Sequence, residues 1–260
     1  MQNKNKFFDG YKWLTSFITK PPVLPTNYTA ADYLKFMCRE TYLYSPRYAK
    51  KYVTIHGQDQ LLKIAAHSGA LLTPLHYGSF FLSGGTIVQQ LNLSYTAIVT
   101  GRNIACLPAE EQFFWKGVHQ RSSDLYKQPL FYTGSTPPRN LLAYLDKPGN
   151  LLGAVLDVRE QDQFPKEYAF HFLGTQIYLA TGPARLAYLA NVPIVPMTIQ
   201  YNLSEQRHHL YFGEPILPCK DHVEVTQQLL SSLEYYIAAQ PQQCFYDMVS
   251  TLSLPHKINN

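Results

Sequence analysis

From residue 70 onward, short apolar runs alternate with segments whose apolar positions recur every three to four residues. Residues 70–75, 95–100, 151–156 and 194–200 have the length and composition of buried strands. Helical periodicity marks 80–91, 109–118, 138–145, 183–190 and 223–239, and 32–48 and 58–67 read as helices ahead of the first strand. Residues 210–213 read as an edge strand. Strands alternating with helices predict an α/β fold: a mixed, mainly parallel sheet covered by helices on both faces. With no internal repeat, residues 23–260 are expected to form a single domain.

Residues 1–22 follow another pattern. Phe7, Tyr11, Leu14 and Ile18 recur at helical spacing, Lys4, Lys6, Lys12 and Lys20 flank or interrupt them, and Pro21-Pro22 stops the run. An apolar aromatic face with lysines around it suits a helix lying in a membrane interface; packing on its own domain is the alternative. No stretch approaches the roughly 18–20 apolar residues of a membrane span, and no secretory signal is visible.

Composition narrows the function classes. The chain is 46% hydrophobic and 15% charged, with a net charge of +4, which suits an anionic lipid surface or an acidic carrier protein. No dense Lys/Arg stripe interleaved with aromatics points to nucleic acid. The 20 tyrosines suit either a wet-apolar boundary or an ordinary core. Cys38, Cys106, Cys219 and Cys244 form no Cys-x-x-Cys pair, and no His-x-x-x-His occurs, so the reading calls for no metal and no cofactor. Adjacent His208 and His209 on a strand would face opposite sides. Reduced thiols in a cytosolic setting are the simple expectation.

Candidate chemistry gathers at strand ends, where open α/β sheets bind ligands. His76 follows residues 70–75, Arg102 follows 95–100, and Asp157 follows 151–156 with Arg159 two places on. Gln200 ends the 194–200 run. If these strands are neighbours, a histidine base, a carboxylate that orients it and arginines for phosphate or oxyanion converge on one crevice. The bland alternative for each is a turn cap.

Residues 168–196 read YAFHFLGTQIYLATGPARLAYLANVPIVP. This run resembles the signature of the lysophospholipid acyltransferase superfamily, in its lipid A late-acyltransferase branch: a Phe-Phe-Gly-like run, then Thr-Gly-x-Ala-Arg-Leu-Ala, then a strand beginning near a proline. Residues 57–72 resemble the approach to the family's His-x4-acid motif, and 240–246 resemble its C-terminal Pro-Glu-Gln-Trp-like motif. The resemblance thus covers about residues 53–246. It implies transfer of an acyl group from a carrier-protein or CoA thioester to a hydroxyl of a membrane lipid of the lipid A type, by a protein held peripherally at the cytoplasmic face of the inner membrane. It also implies His76 as base, and Arg102, Arg159, Arg185 and Gln200 as substrate-binding candidates, with Arg185 alternatively pinning its helix through a buried ion pair.

One position departs from the family. Five places after His76, where the acid belongs, stands Phe81, which cannot accept a hydrogen bond from an imidazole. Three explanations stay open: another carboxylate substitutes (Asp157 first, Glu160 or Asp124 behind it), His76 works alone, or the activity is lost or changed. The short length and imperfect acid site are similar to a diverged group that moves glycine from a carrier protein to lipid A; Asp157 or Glu160 would then bind the donor amine. A non-catalytic lipid- or carrier-binding module is the other alternative. A serine hydrolase built on Ser79 or Ser83 lacks the Gly-x-Ser-x-Gly elbow, and the Gly84-Gly85 pair fits no nucleotide fingerprint.

Overall fold

A computed structural model describes residues 24–100, 104, 109–158, 167–245 and 252–253. The 1–22 segment, Arg102, Arg159 and Glu160 lie outside the described residues. In chain order the elements are α1 (Ala30–Glu40), α2 (Pro46–Tyr52), β1 (Val53–His56), α3 (Gln58–Ala65), β2 (Ala70–Thr73), α4 (Phe80–Thr86), β3 (Ser94–Thr100), α5 (Ala109–Tyr126) and β4 (Phe131–Thr133). There follow α6 (Pro138–Leu145), β5 (Asn150–Gly153), β6 (Tyr168–Phe172), β7 (Thr175–Leu179), α7 (Gly182–Ala190), β8 (Ile194–Asn202), β9 (Arg207–Phe212) and α8 (His222–Ala239).

Seven strands form one sheet in the order β1-β9-β8-β2-β5-β3-β4, and β6 and β7 form a separate antiparallel hairpin. Every pairing in the large sheet is parallel except β8 with β9. The mixed, mainly parallel sheet is therefore as expected. Its alternation sorts the core into two layers. Leu71, Leu152 and Ile194 face a cluster completed by Leu145 of α6, Ala184 and Ala187 of α7 and the α8 stripe Val225, Leu229, Leu233 and Ile237. Ala70, Leu72, Leu151 and Val195 face the other cluster, with Ala49 of α2, Leu61 of α3, Leu82 of α4 and Leu125 of α5. Each fully buried leucine contributes roughly 1.5–3 kcal/mol over its exposed state, so both faces hold the sheet.

Local chemistry explains where boundaries differ from the pattern. The expected 32–48 helix is broken: Ser45 caps a new helix through the Tyr48 N–H, and Pro46 sits in its first turn, where its missing N–H does no harm. Of the expected 210–213 edge strand, residues 210–212 belong to the longer β9, which is not an edge, because the short strand β1, unrecognised in the sequence, covers it. The 168–174 run continues through Gly174, at φ +74°, into a second strand. Six of the 20 tyrosines serve as core: Tyr33, Tyr48, Tyr77, Tyr95, Tyr126 and Tyr201 are buried. Among the described residues, no helix is long and apolar enough to cross a membrane.

Candidate active site

The loop after β2 carries His76, and the loop after β5 carries Asp157. These strands are parallel neighbours, so both loops leave the same edge of the sheet. Asp157 Oδ1 lies 3.0 Å from His76 Nδ1, and its side chain is fully buried while that of His76 is 23% exposed. The same carboxylate accepts the His76 backbone N–H, at 3.0 Å to Oδ1 and 3.2 Å to Oδ2. An ionised carboxylate only accepts, so it selects the tautomer with hydrogen on Nδ1 and leaves the basic lone pair on Nε2.

The His76 turn is clamped on several sides. The Phe245 N–H donates to the His76 carbonyl and the Gly78 N–H to the Gln243 carbonyl, both at 2.9 Å. Gly78 has φ +59°, and a Cβ there would stand 1.7 Å from the Ile199 carbonyl oxygen. The Tyr77 hydroxyl donates toward the carbonyls of Tyr236 and Gln240, each at 3.1 Å. The Ser79 hydroxyl donates at 2.8 Å to Glu40, a fully buried carboxylate on α1. Tyr44, Tyr48 and His208 also engage Glu40.

Aromatic rings wall the site. Phe80 meets the His76 imidazole edge to face at 5.0 Å, and Phe245 lies 5.9 Å away. Phe81, at the expected acid position, packs instead on Phe80 and Trp115. Trp115 in turn lies 6.0 Å from Phe245 and 6.5 Å from His119.

Other sequence candidates fall elsewhere. Gln200 is buried, and its amide donates to the Tyr77 hydroxyl at 2.9 Å and the Tyr236 carbonyl at 2.7 Å. It therefore holds the His76 turn rather than facing a substrate. Arg185 is exposed on α7, which removes the buried ion pair as its role. Asp124 pairs with Gln120 on α5, not with His76. Ser79 is engaged by Glu40 and Ser83 is buried, leaving the hydrolase reading without a nucleophile on the base. His208 and His209 do face opposite sides: one joins Glu40 in the interior, the other meets His56 at 2.9 Å. No group of three or more metal-ligating side chains occurs among the described residues. Sequence reasoning missed Glu40, Gln243 and Phe245 as supports; the only signal was the motif-like run at 240–246.

Residues 149–246 match a family model described as bacterial lipid A biosynthesis acyltransferase. The matched stretch begins at β5, takes in Asp157 and the Thr181–Leu186 block, and ends in the segment that clamps the His76 turn; His76 itself lies before it. The match supports a place in the acyltransferase superfamily. No curated protein matches the chain. The crystal structure of the 1-acyl-sn-glycerophosphate (LPA) acyltransferase PlsC from Thermotoga maritima is similar at 12% identity with a TM-score of 0.44, over 90% of this chain and 89% of that one.

Proposed function

We propose that this protein is an acyltransferase that moves an acyl group from a carrier-protein or CoA thioester to a hydroxyl of a membrane lipid, of the lipid A type. The observation that carries the reading is the contact of Asp157 with His76 Nδ1. The family's usual acid is absent at Phe81, and a carboxylate from a neighbouring strand end supplies what that acid would: a fixed tautomer and a charge that stabilises the imidazolium.

In this mechanism Nε2 of His76 takes the proton of the acceptor hydroxyl as its oxygen attacks the thioester carbonyl. The tetrahedral intermediate then collapses, the C–S bond breaks, and the imidazolium returns its proton to the departing thiolate sulfur. The acyl group ends as an ester on the acceptor. Arg102 and Arg159 are the sequence candidates for a lipid phosphate or the oxyanion. Asp157 is engaged by both the main chain and the ring of His76, which argues for orientation rather than for binding a donor amine. Residues 1–22 are proposed to hold the protein at the cytoplasmic face of the inner membrane.

The test is mass spectrometry of total membrane lipids, including lipid A, from cells with the wild type, His76→Ala or no protein. A mass difference shared by His76→Ala and the deletion supports transfer. A long alkyl increment identifies a fatty acyl donor, and a small nitrogen-containing one an aminoacyl donor such as glycyl. No difference in any lipid class overturns the proposal in favour of a binding module.

A further inference from the structure

β8 runs past the strand beside it. β2 pairs with it over Ile194–Pro196, yet β8 continues to Asn202 with β9 on its other side. Residues 197–201 of this overhang are buried. A buried main-chain N–H or C=O that points away from β9 needs a partner there, and leaving it unmatched costs about as much as a lost hydrogen bond. At Tyr201 a side chain fills the gap. Gln243 Oε1 accepts the Tyr201 N–H at 2.8 Å, and Gln243 Nε2 donates to the Tyr201 carbonyl at 2.8 Å. The amide thus stands where the peptide unit of a neighbouring strand would stand, since it carries the same donor and acceptor. The Tyr28 hydroxyl, at 3.0 Å, and the Gln240 side chain also engage its nitrogen.

The main chain of the same segment holds the base. The Gln243 carbonyl accepts the Gly78 N–H, and the Phe245 N–H donates to the His76 carbonyl, with Tyr77 and Cys244 bridged between them. Residues 243–245 therefore form a strut. A side chain joins it to β8, and its backbone joins it to the His76 turn. The Phe245 ring, 5.9 Å from the His76 imidazole and 6.2 Å from Phe80, is part of that strut. Gln243 itself is fully buried, so it acts through His76 rather than on a substrate.

We infer that Gln243 is a positioning residue for His76: its amide hangs residues 243–245 from β8, and their backbone sets the imidazole against Asp157. The inference rests on His76 being the base of the proposed function. Asp157 holds the ring and the N–H of His76 from one side, while the strut holds its carbonyl from the other. With the strut loosened, the ring shifts on Asp157, and the tautomer with hydrogen on Nδ1 loses its exclusive hold.

The test compares the wild type with two variants of the full chain. Gln243→Met keeps the length of the side chain and removes both bonds to Tyr201 without burying a charge. Gln243→Glu keeps the shape and the acceptor but brings no hydrogen to the Tyr201 carbonyl. Nitrogen-15 spectra of the His76 ring should show one tautomer in the wild type and a mixture in both variants. With the donor and lipid identified by the lipid comparison above, kcat should fall about 10- to 100-fold in each variant while both KM values stay within about twofold, since a shift of about 1 Å is enough for the larger loss. Urea midpoints establish that the variants are folded under these conditions. If neither is, Tyr28→Phe, which removes only an outer partner of the amide, takes their place, and a wild-type spectrum there overturns the inference. Folded Gln243 variants that keep a single Nδ1–H tautomer and wild-type kcat also overturn it, even with a lowered urea midpoint, because the amide then serves stability alone. The spectra need no turnover, so the two ideas fail separately. A wild type that modifies no lipid sinks the acyl-transfer reading, while mixed tautomers in the variants still uphold the strut. Variants that modify lipid at the wild-type rate sink only the role of Gln243.

Discussion

Asp157 accepts from two places on the same residue, the backbone N–H of His76 and its ring Nδ1 at 3.0 Å. One buried anion thus sets where the His76 main chain turns and which nitrogen carries the proton. In Asp157→Asn the amide can hold a similar position, but its NH₂ group opposes Nδ1–H and favours the wrong tautomer. The loss expected in kcat is about 10²- to 10⁴-fold, by analogy with the buried acid of serine proteases, with KM for the lipid acceptor little altered. Steady-state kinetics across the pH range check this, and a variant with wild-type kcat rules out the orienting role.

Glu40 ties the turn to the rest of the molecule. Four side chains, from Ser79, Tyr44, Tyr48 and His208, converge on its two oxygens in the interior. Glu40→Ala leaves them buried and unmatched, and should destabilise the fold by about 3–5 kcal/mol, the usual cost of removing one partner from a buried charged network. Ser79→Ala removes a single donor and should cost about 1 kcal/mol. Urea denaturation midpoints at constant slope provide the comparison; equal midpoints for Glu40→Ala and the wild type would contradict a structural role.

Stability should also depend on pH through His119. Its folded pKa lies at about 4, below the ordinary histidine value of about 6.5, because burial disfavours the cation. The unfolded chain therefore binds more protons between these values, and stability falls as pH drops from about 6.5 to about 4, then levels off. The full effect is about 3 kcal/mol. His119→Leu removes this component, so the difference in unfolding free energy between pH 7.5 and pH 4.5 should shrink relative to the wild type. An unaltered difference would mean that His119 is not held neutral in the fold.

Removal of residues 1–20 should weaken binding to anionic liposomes severalfold and leave the circular dichroism spectrum of the domain intact. Vesicle co-sedimentation at low and high salt measures this, with the lysine contribution lost at high salt. Undiminished binding, or an unfolded product, would remove the interfacial role from the segment.

Much of the architecture was legible along the chain. The apolar runs at β2, β3, β5 and β8 and the periodic helices between them specify a sheet covered on both faces, because side-chain periodicity is a local property and α/β layering follows from it. The block from β6 to β8 and His76 at a strand end were likewise readable in place. The partner of His76 was not. Asp157 lies 81 residues away and could only be ranked ahead of Glu160 and Asp124, since the distance between two strand ends depends on strand order, which no local pattern encodes. The same holds for Glu40, which approaches Ser79 only when α1 packs beneath the turn, and for β9, which becomes interior only when the four residues of β1 pair with it. The burial of His119 is a further case: along the helix it is one more polar position, and only the tertiary packing that sets its ring between Trp115 and Tyr132 takes it largely out of water.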